Sequence, residues 1–154
     1  MGVSIEGIDE LTVLIRQAGD RAAHGVVDQM RKEAKKMRDL ARKMAPVDEH
    51  NLEKAIKMRE VGGNRDRRGR FTRKSFEVYV DEFAEGTRAE SVGEYAYLMH
   101  EYLTPFGPYK LGPKSRQKQA GQSEMVGGAF LERAADEVSE DMMNRLIDVA
   151  RSYL

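Results

Sequence analysis

The chain has 154 residues, with Lys plus Arg and Asp plus Glu at 26 each, so overall charge argues neither for nor against a nucleic-acid partner. Cysteine is absent, which excludes disulfides, thiolate metal sites and cysteine catalysis. Charged residues make up 34% and mean hydropathy is −0.64, so we expect a soluble protein made in the cytoplasm, with no signal peptide and no membrane span.

The length suits one domain over 1–154. Val3 to Gly7 alternates and predicts a short strand. Ile8, Leu11, Leu14 or Ile15, and Ala18 recur at helical spacing, predicting a helix over 8–18. Gly19-Asp20 reads as a stop followed by a new start. From Asp20 to Met44, Val26 or Val27, Met30, Ala34, Met37, Ala41 and Met44 form an apolar stripe. Arg31, Lys32, Lys35, Arg38, Arg42 and Lys43 are placed on the opposite face. Gly25 is the weak point of this helix. Pro46 must end it, since proline lacks an N–H and clashes with the preceding turn. Asp48 or Asn51 can cap a short helical turn after the break.

Ala55 to Val61 and Ser75 to Val80 read as strands, the second alternating Phe76, Val78 and Val80 with Glu77 and Tyr79. Residues 62–74 between them form a long hairpin loop. Residues 92–103 fit either a strand or a short helix. Residues 104–126 are rich in Gly, Pro, Lys, Ser and Gln and predict a second long loop. Gly127-Gly128 marks a hinge or the opening of a closing helix from Ala129 to Leu154. Phe130, Leu131, Ala134, Val138, Met142 and Leu146 give that helix its apolar stripe. The fold class is therefore α+β: long N- and C-terminal helices packed on a small antiparallel sheet, with two long loops.

Charge falls in blocks. Asp20 to Met44 carries eight basic and four acidic residues. The loop from Arg65 to Lys74 carries six basic and one acidic, and the stretch from Glu77 to Glu94 one basic and six acidic. From Glu132 onward the count is three basic and six acidic. Such blocks either neutralise each other within one subunit or let a basic face meet a neighbour's acidic face.

Arg65, Arg67, Arg68, Arg70, Arg73 and Lys74 could grip nucleic-acid phosphates, with Phe71 to stack on a base, or contact a neighbouring protein. A solvated hairpin tip fits the same residues. Lys110, Lys114, Arg116 and Lys118 mark the second loop as a candidate inter-subunit contact. His100-Glu101 lacks the His-Glu-x-x-His spacing, because Thr104 follows where a second histidine would stand. A structural role for that pair is the expectation, and no catalytic, metal or cofactor site is expected.

Three segments, in order, resemble tailed-bacteriophage neck and tail-completion proteins. The first is Val3-Ser4-Ile5-Glu6-Gly7-Ile8-Asp9-Glu10-Leu11, followed by the basic helix. The second is Ala45-Pro46-Val47-Asp48 with Asn51-Leu52 and Ile56, where the family usually has Thr-Gly in place of Glu49-His50. The third is Tyr95-Ala96, His100-Glu101, a variable loop, and Val126-Gly127-Gly128-Ala129-Phe130-Leu131-Glu132-Arg133-Ala134. The resemblance implies a non-enzymatic virion protein at the head-to-tail junction. It would form a homo-oligomeric ring, six-fold or a multiple, between connector and tail proteins, with DNA passing through its channel. Pro46, Asp48, Asn51, His100, Glu101 and Phe130 then have structural roles. The alternative is a nucleic-acid-binding protein using the basic helix and the 65–74 loop.

Overall fold

The computed structural model describes residues 8–47, 51–63, 67, 74–84, 96, 97, 99 and 111–154. Its elements are α1 (Ile8–Ala18), α2 (Asp20–Met44), α3 (Asn51–Ala55), β1 (Ile56–Gly62), β2 (Lys74–Val80), α4 (Pro113–Ala120) and α5 (Phe130–Arg151). Ala96, Tyr97 and Met99 are also helical. The α+β expectation holds, with helices at both ends and a two-stranded antiparallel sheet. The strand expected over 3–7 lies outside the described residues.

Gly19 separates α1 from α2. Its φ of 78° is open to glycine without strain, and its N–H closes on Ile15 O at 2.9 Å. α2 then runs unbroken to Met44, where Ala45 turns extended ahead of the buried Pro46.

α2 is the centre of the fold. Leu40, Ala41 and Met44 at its C-terminal end pack with Leu52, Ile56, Ala96, Phe130, Ala134 and Val138. Val26 nearer its N-terminus packs with Leu146 and Ala150, flanked by Leu11, Leu14, Ile15 and Met30. Phe130 therefore meets the end of α2 and Ala150 its beginning, so α2 and α5 run antiparallel.

Between the two apolar clusters lies an ionic tie. Glu33 is 4% exposed. It accepts bonds from Arg145 Nε at 2.7 Å, Arg145 Nη2 at 2.8 Å and Gln29 Nε2 at 2.7 Å. The Arg145 bonds hold the Glu33 carboxyl below the usual glutamate range, against burial, which pushes it up. A fork-to-fork pair in mid-helix also fixes the register of α2 on α5.

The hairpin rests on α2. Ile56 faces Val80, Met58 faces Val78 and Glu60 faces Phe76, with the register running on to Gly62 opposite Lys74. Val78 and Val80 pack on the core cluster, while Lys57, Arg59 and Val61 alternate to the exposed side. A lone two-stranded hairpin is marginal in water. Here Arg42 reaches sideways from α2 and donates from Nε and Nη2 to Ile56 O, at 3.0 and 2.7 Å.

Two expectations are corrected. The second long loop contains a helix, α4, opened by Gly112 and by Pro113 in its first turn, where a missing N–H is no loss. α5 begins at Phe130, one residue later than expected. The left-handed residue ahead of it is Ala129 (φ 50°), not Gly127 or Gly128.

Gly25 has a packing role within α2. A Cβ there would lie 2.7 Å from Cε2 and the hydroxyl of Tyr153. Because Tyr153 is 45% exposed, its ring can swing away. Gly25→Ala should therefore be neutral to stabilising by up to about 1 kcal/mol, the helix-propensity gain. Thermal unfolding would check this, and a clear drop in Tm would mean that the Tyr153 contact outweighs propensity.

Candidate interaction surfaces

The hairpin tip was the first candidate. Arg67 is exposed, while Arg65, Arg68, Arg70 and Arg73 lie outside the described residues. Lys74 does not belong with them. Its ammonium pairs with Glu60, which also receives Arg31 at 3.2 Å, and the Arg31 guanidinium lies 5.7 Å from the Phe76 ring centroid. Lys74 and Arg31 together hold the Glu60 carboxyl below its usual range. Lys74 thus ties the two strands together near the tip of the hairpin, and Arg31 fastens Glu60 to α2. On the outer face Arg59 pairs with Glu77 at 2.7 Å and lies 4.9 Å from the Tyr79 ring centroid. Lys57 pairs with Asp81 at 2.5 Å. The charges on the two described strands are largely paired within the chain.

The second candidate was the loop carrying Lys110, Lys114, Arg116 and Lys118. Lys110 lies outside the described residues, and Lys114 and Arg116 are exposed. Lys118 is not available to a neighbour. Its ammonium donates to Arg42 O at 2.6 Å and Ala45 O at 2.8 Å, and pairs with Glu53. Gln122 Nε2 donates to Lys43 O at 2.8 Å, and Gly127 N to Met44 O at 2.9 Å. A helix leaves its last four carbonyls without internal partners. Here Ala45 N serves Ala41 O, and residues 118–127 serve the next three. A cation at this end also suits the helix dipole.

α4 is fastened by two more bonds of this kind. Ser115, 2% exposed, accepts from Val47 N at 2.8 Å, and Gln119 Oε1 accepts from Val126 N at 2.6 Å. Lys118→Met should cost about 1–3 kcal/mol, because it strands helix carbonyls beside an apolar stem. Urea unfolding would measure it. A midpoint within error of wild type would show that water replaces the ammonium without loss.

Of the residues expected to be structural, Pro46 and Phe130 are fully buried and Asn51 opens α3. Asp48, His100 and Glu101 lie outside the described residues. The sequence reading missed Glu33, Arg145, Ser115 and the two glutamines. Glu33 carried a signal, since a charge beside Met30, Ala34 and Met37 in an apolar stripe calls for a buried partner.

Two charged faces remain. On α2, the exposed positions Arg21, His24, Asp28, Lys32, Lys35, Lys36, Asp39 and Lys43 share one side. Asp28 pairs with Arg31, Asp39 with Arg38, and Lys43 with Glu124. Lys32, Lys35 and Lys36 have no ion-pair partner among the described residues. On α5, Glu132, Asp136, Glu137, Glu140, Asp141 and Asp148 are exposed. Among the described residues, only Asp141 has a cation within reach, Arg145 at 3.8 Å.

Among the described residues, no group of three or more His, Asp or Glu side chains could hold a metal ion. No described helix is long and apolar enough to cross a membrane. Compared with family models, curated proteins and solved structures, the chain finds no match.

Proposed function

We propose that this chain is a structural protein of the tailed-phage head-to-tail junction, assembling as a ring around the DNA channel and joining head to tail. The observation that carries the reading is where the resemblance signatures come together. Ala45, Leu52 and Ile56 of the second signature pack in one cluster with Ala96, Phe130 and Ala134 of the third. Pro46 is fully buried and Gly127 N bonds Met44 O, so the turn after α2 is held by the stretch that opens α5. Motifs that specify one fold are expected to meet in its core, as these do.

The polar groups support a structural role as well. Glu33, Arg145, Arg42, Lys74 and Lys118 all act as ties within the chain. Six-fold symmetry, or a multiple of it, follows from the resemblance, as do connector and tail neighbours and DNA in the channel.

Electron microscopy of lysates from phage with this gene disrupted is the direct test. Filled heads and complete tails lying apart are the expected result. Normal infectious particles would overturn the reading. Binding to nucleic acid through the exposed lysines of α2 would then be the surface to pursue, its signature being a steep loss of affinity with salt.

A further inference from the structure

We infer that copies of this chain assemble head to tail by docking the lysine face of α2, centred on Lys32, Lys35 and Lys36, onto the acidic face of α5, centred on Asp136, Glu137 and Glu140, of the next copy. The inference deepens the ring reading and rests on its self-assembly.

On the strands of the hairpin, and at several points on the helices, described charges meet opposite charges of the same chain. Arg31 meets Asp28 and Glu60, Lys57 meets Asp81, Arg59 meets Glu77 and Arg151 meets Glu10. Charges without an ion pair among the described residues also stand elsewhere, at Asp20, Arg21, Lys54, Lys114 and Arg116 for example, but the densest single-sign groups on the two long packed helices are the lysines of α2 and the acids of α5. Lys32, Lys35 and Lys36 fall within about one turn of α2. The acids from Asp136 to Asp148 extend over about 18 Å of α5, at 1.5 Å per residue. The two internal cations of α5 do little to relieve them, beyond Arg145 at 3.8 Å from Asp141. Arg133 is folded back onto Met125 O and Gly128 O, at 2.8 and 3.0 Å, and Arg145 is committed to Glu33.

Like charges crowded on one helix face repel, so an opposing surface is favoured over leaving them bare. Each face is the complement of the other. Asp136, Glu137 and Glu140 lie opposite the side packed on α2, which carries Ala134, Val138, Leu146 and Ala150, while nearer the C-terminus Ile147, in phase with Asp136, is itself buried. The lysines lie on a flank of α2, away from Val26, Ala34, Leu40 and Ala41. One copy therefore presents both faces in different directions. Docking one pair leaves one lysine face and one acidic face unused at the two ends, which is a heterologous contact that closes into a ring where its rotation allows and otherwise runs on as a filament.

The test is a charge swap on the purified full-length chain, read by native mass and sedimentation. Wild type at low salt should form closed species of more than two copies of the 17.5 kDa chain. They should disperse as salt rises to about 1 M, where screening shortens to about 3 Å. K32E/K35E/K36E should be monomeric, and so should D136K/E137K/E140K. Mixing the two variants, or combining all six changes in one chain, should restore assembly, which misfolding of either variant could not do. A wild type that is monomeric at its highest soluble concentration, a complex that stops at two copies, or single reversals that assemble normally would each overturn the inference. Separate heads and tails after gene disruption, with reversals that leave assembly intact, would sink this contact and leave the neck reading standing. Assembly that obeys the reversals, in a phage that joins normally without the gene, would do the opposite.

Discussion

Phe130→Ala should destabilise the chain by about 3–5 kcal/mol, the cost of an unfilled cavity plus the lost transfer of a large aromatic side chain. Phe130 is fully buried at the first position of α5, where the end of α2, α3, the base of the hairpin and Ala96 all converge. Few alternatives exist for filling the space. Ile56, Leu52 and Val138 are also fully buried, and their backbones belong to three separate elements. Relaxation around the cavity would therefore require elements to shift, not one side chain to turn. Phe130→Leu keeps much of the volume and should cost less than half as much. Denaturant unfolding of the pair would decide. Equal losses would mean that the site is set by helix propensity or by the turn at Ala129, not by packing.

Arg145→Met should cost about 2–3 kcal/mol near neutral pH. Removing one partner from a fully buried pair costs about 3–5 kcal/mol, and the value is discounted here because the Arg145 side chain is 33% exposed. The loss arises from Glu33, which stays ionised with only Gln29 donating to it. The sign of the pH dependence follows from the direction of the shift. In the wild type the Glu33 carboxyl is held below its ordinary value, so the pair's contribution is present above about pH 4.3 and is lost as pH falls through the lowered folded value. In the variant the main lowering influence is gone, and burial pushes the carboxyl up. Proton uptake then favours the folded form as pH falls. The stability gap between variant and wild type should narrow on acidification. A gap constant from pH 7 to pH 3 would mean that the Arg145 stem contributes by packing alone.

Much of this architecture was legible from residue order. Gly19 and Pro46 bound α2 because one supplies a positive φ and the other cannot continue a helix, both properties of single residues. The strands lay within a residue or so of expectation, because alternation over β2 is a local pattern. α4 was not legible. Its sequence, Pro-Lys-Ser-Arg-Gln-Lys-Gln-Ala, has no apolar stripe, and it is held on α2 and the turn after it by Ser115 and Lys118, whose partners stand 68 and 76 positions earlier. No window of sequence contains those partners.

The candidate sites divided for the same reason. Lys74 and Lys118 looked like their neighbours Arg73 and Arg116 by composition. Only the fold reveals that Glu60 and the end of α2 claim them. Arg31 and Arg42 were placed on the solvent face by helical phase. Their length lets them reach round the helix to Glu60 and Ile56 O.

The closure of α2 by residues 118–127 has a consequence for the order in which the chain gains structure. The groups that complete the helix end stand about 75–85 positions further along the chain, so their loop-closure entropy must be met before they stabilise anything. The backbone bonds of α1, α2 and the hairpin join near neighbours and can form while the rest of the chain is still being synthesised, but the apolar faces of α1 and α2 stay open until α5 arrives. The last turn of α2 stays frayed until α4 and the start of α5 arrive. These three pieces then share one opening equilibrium, so their amides exchange with solvent together, while the middle of α2 follows global unfolding.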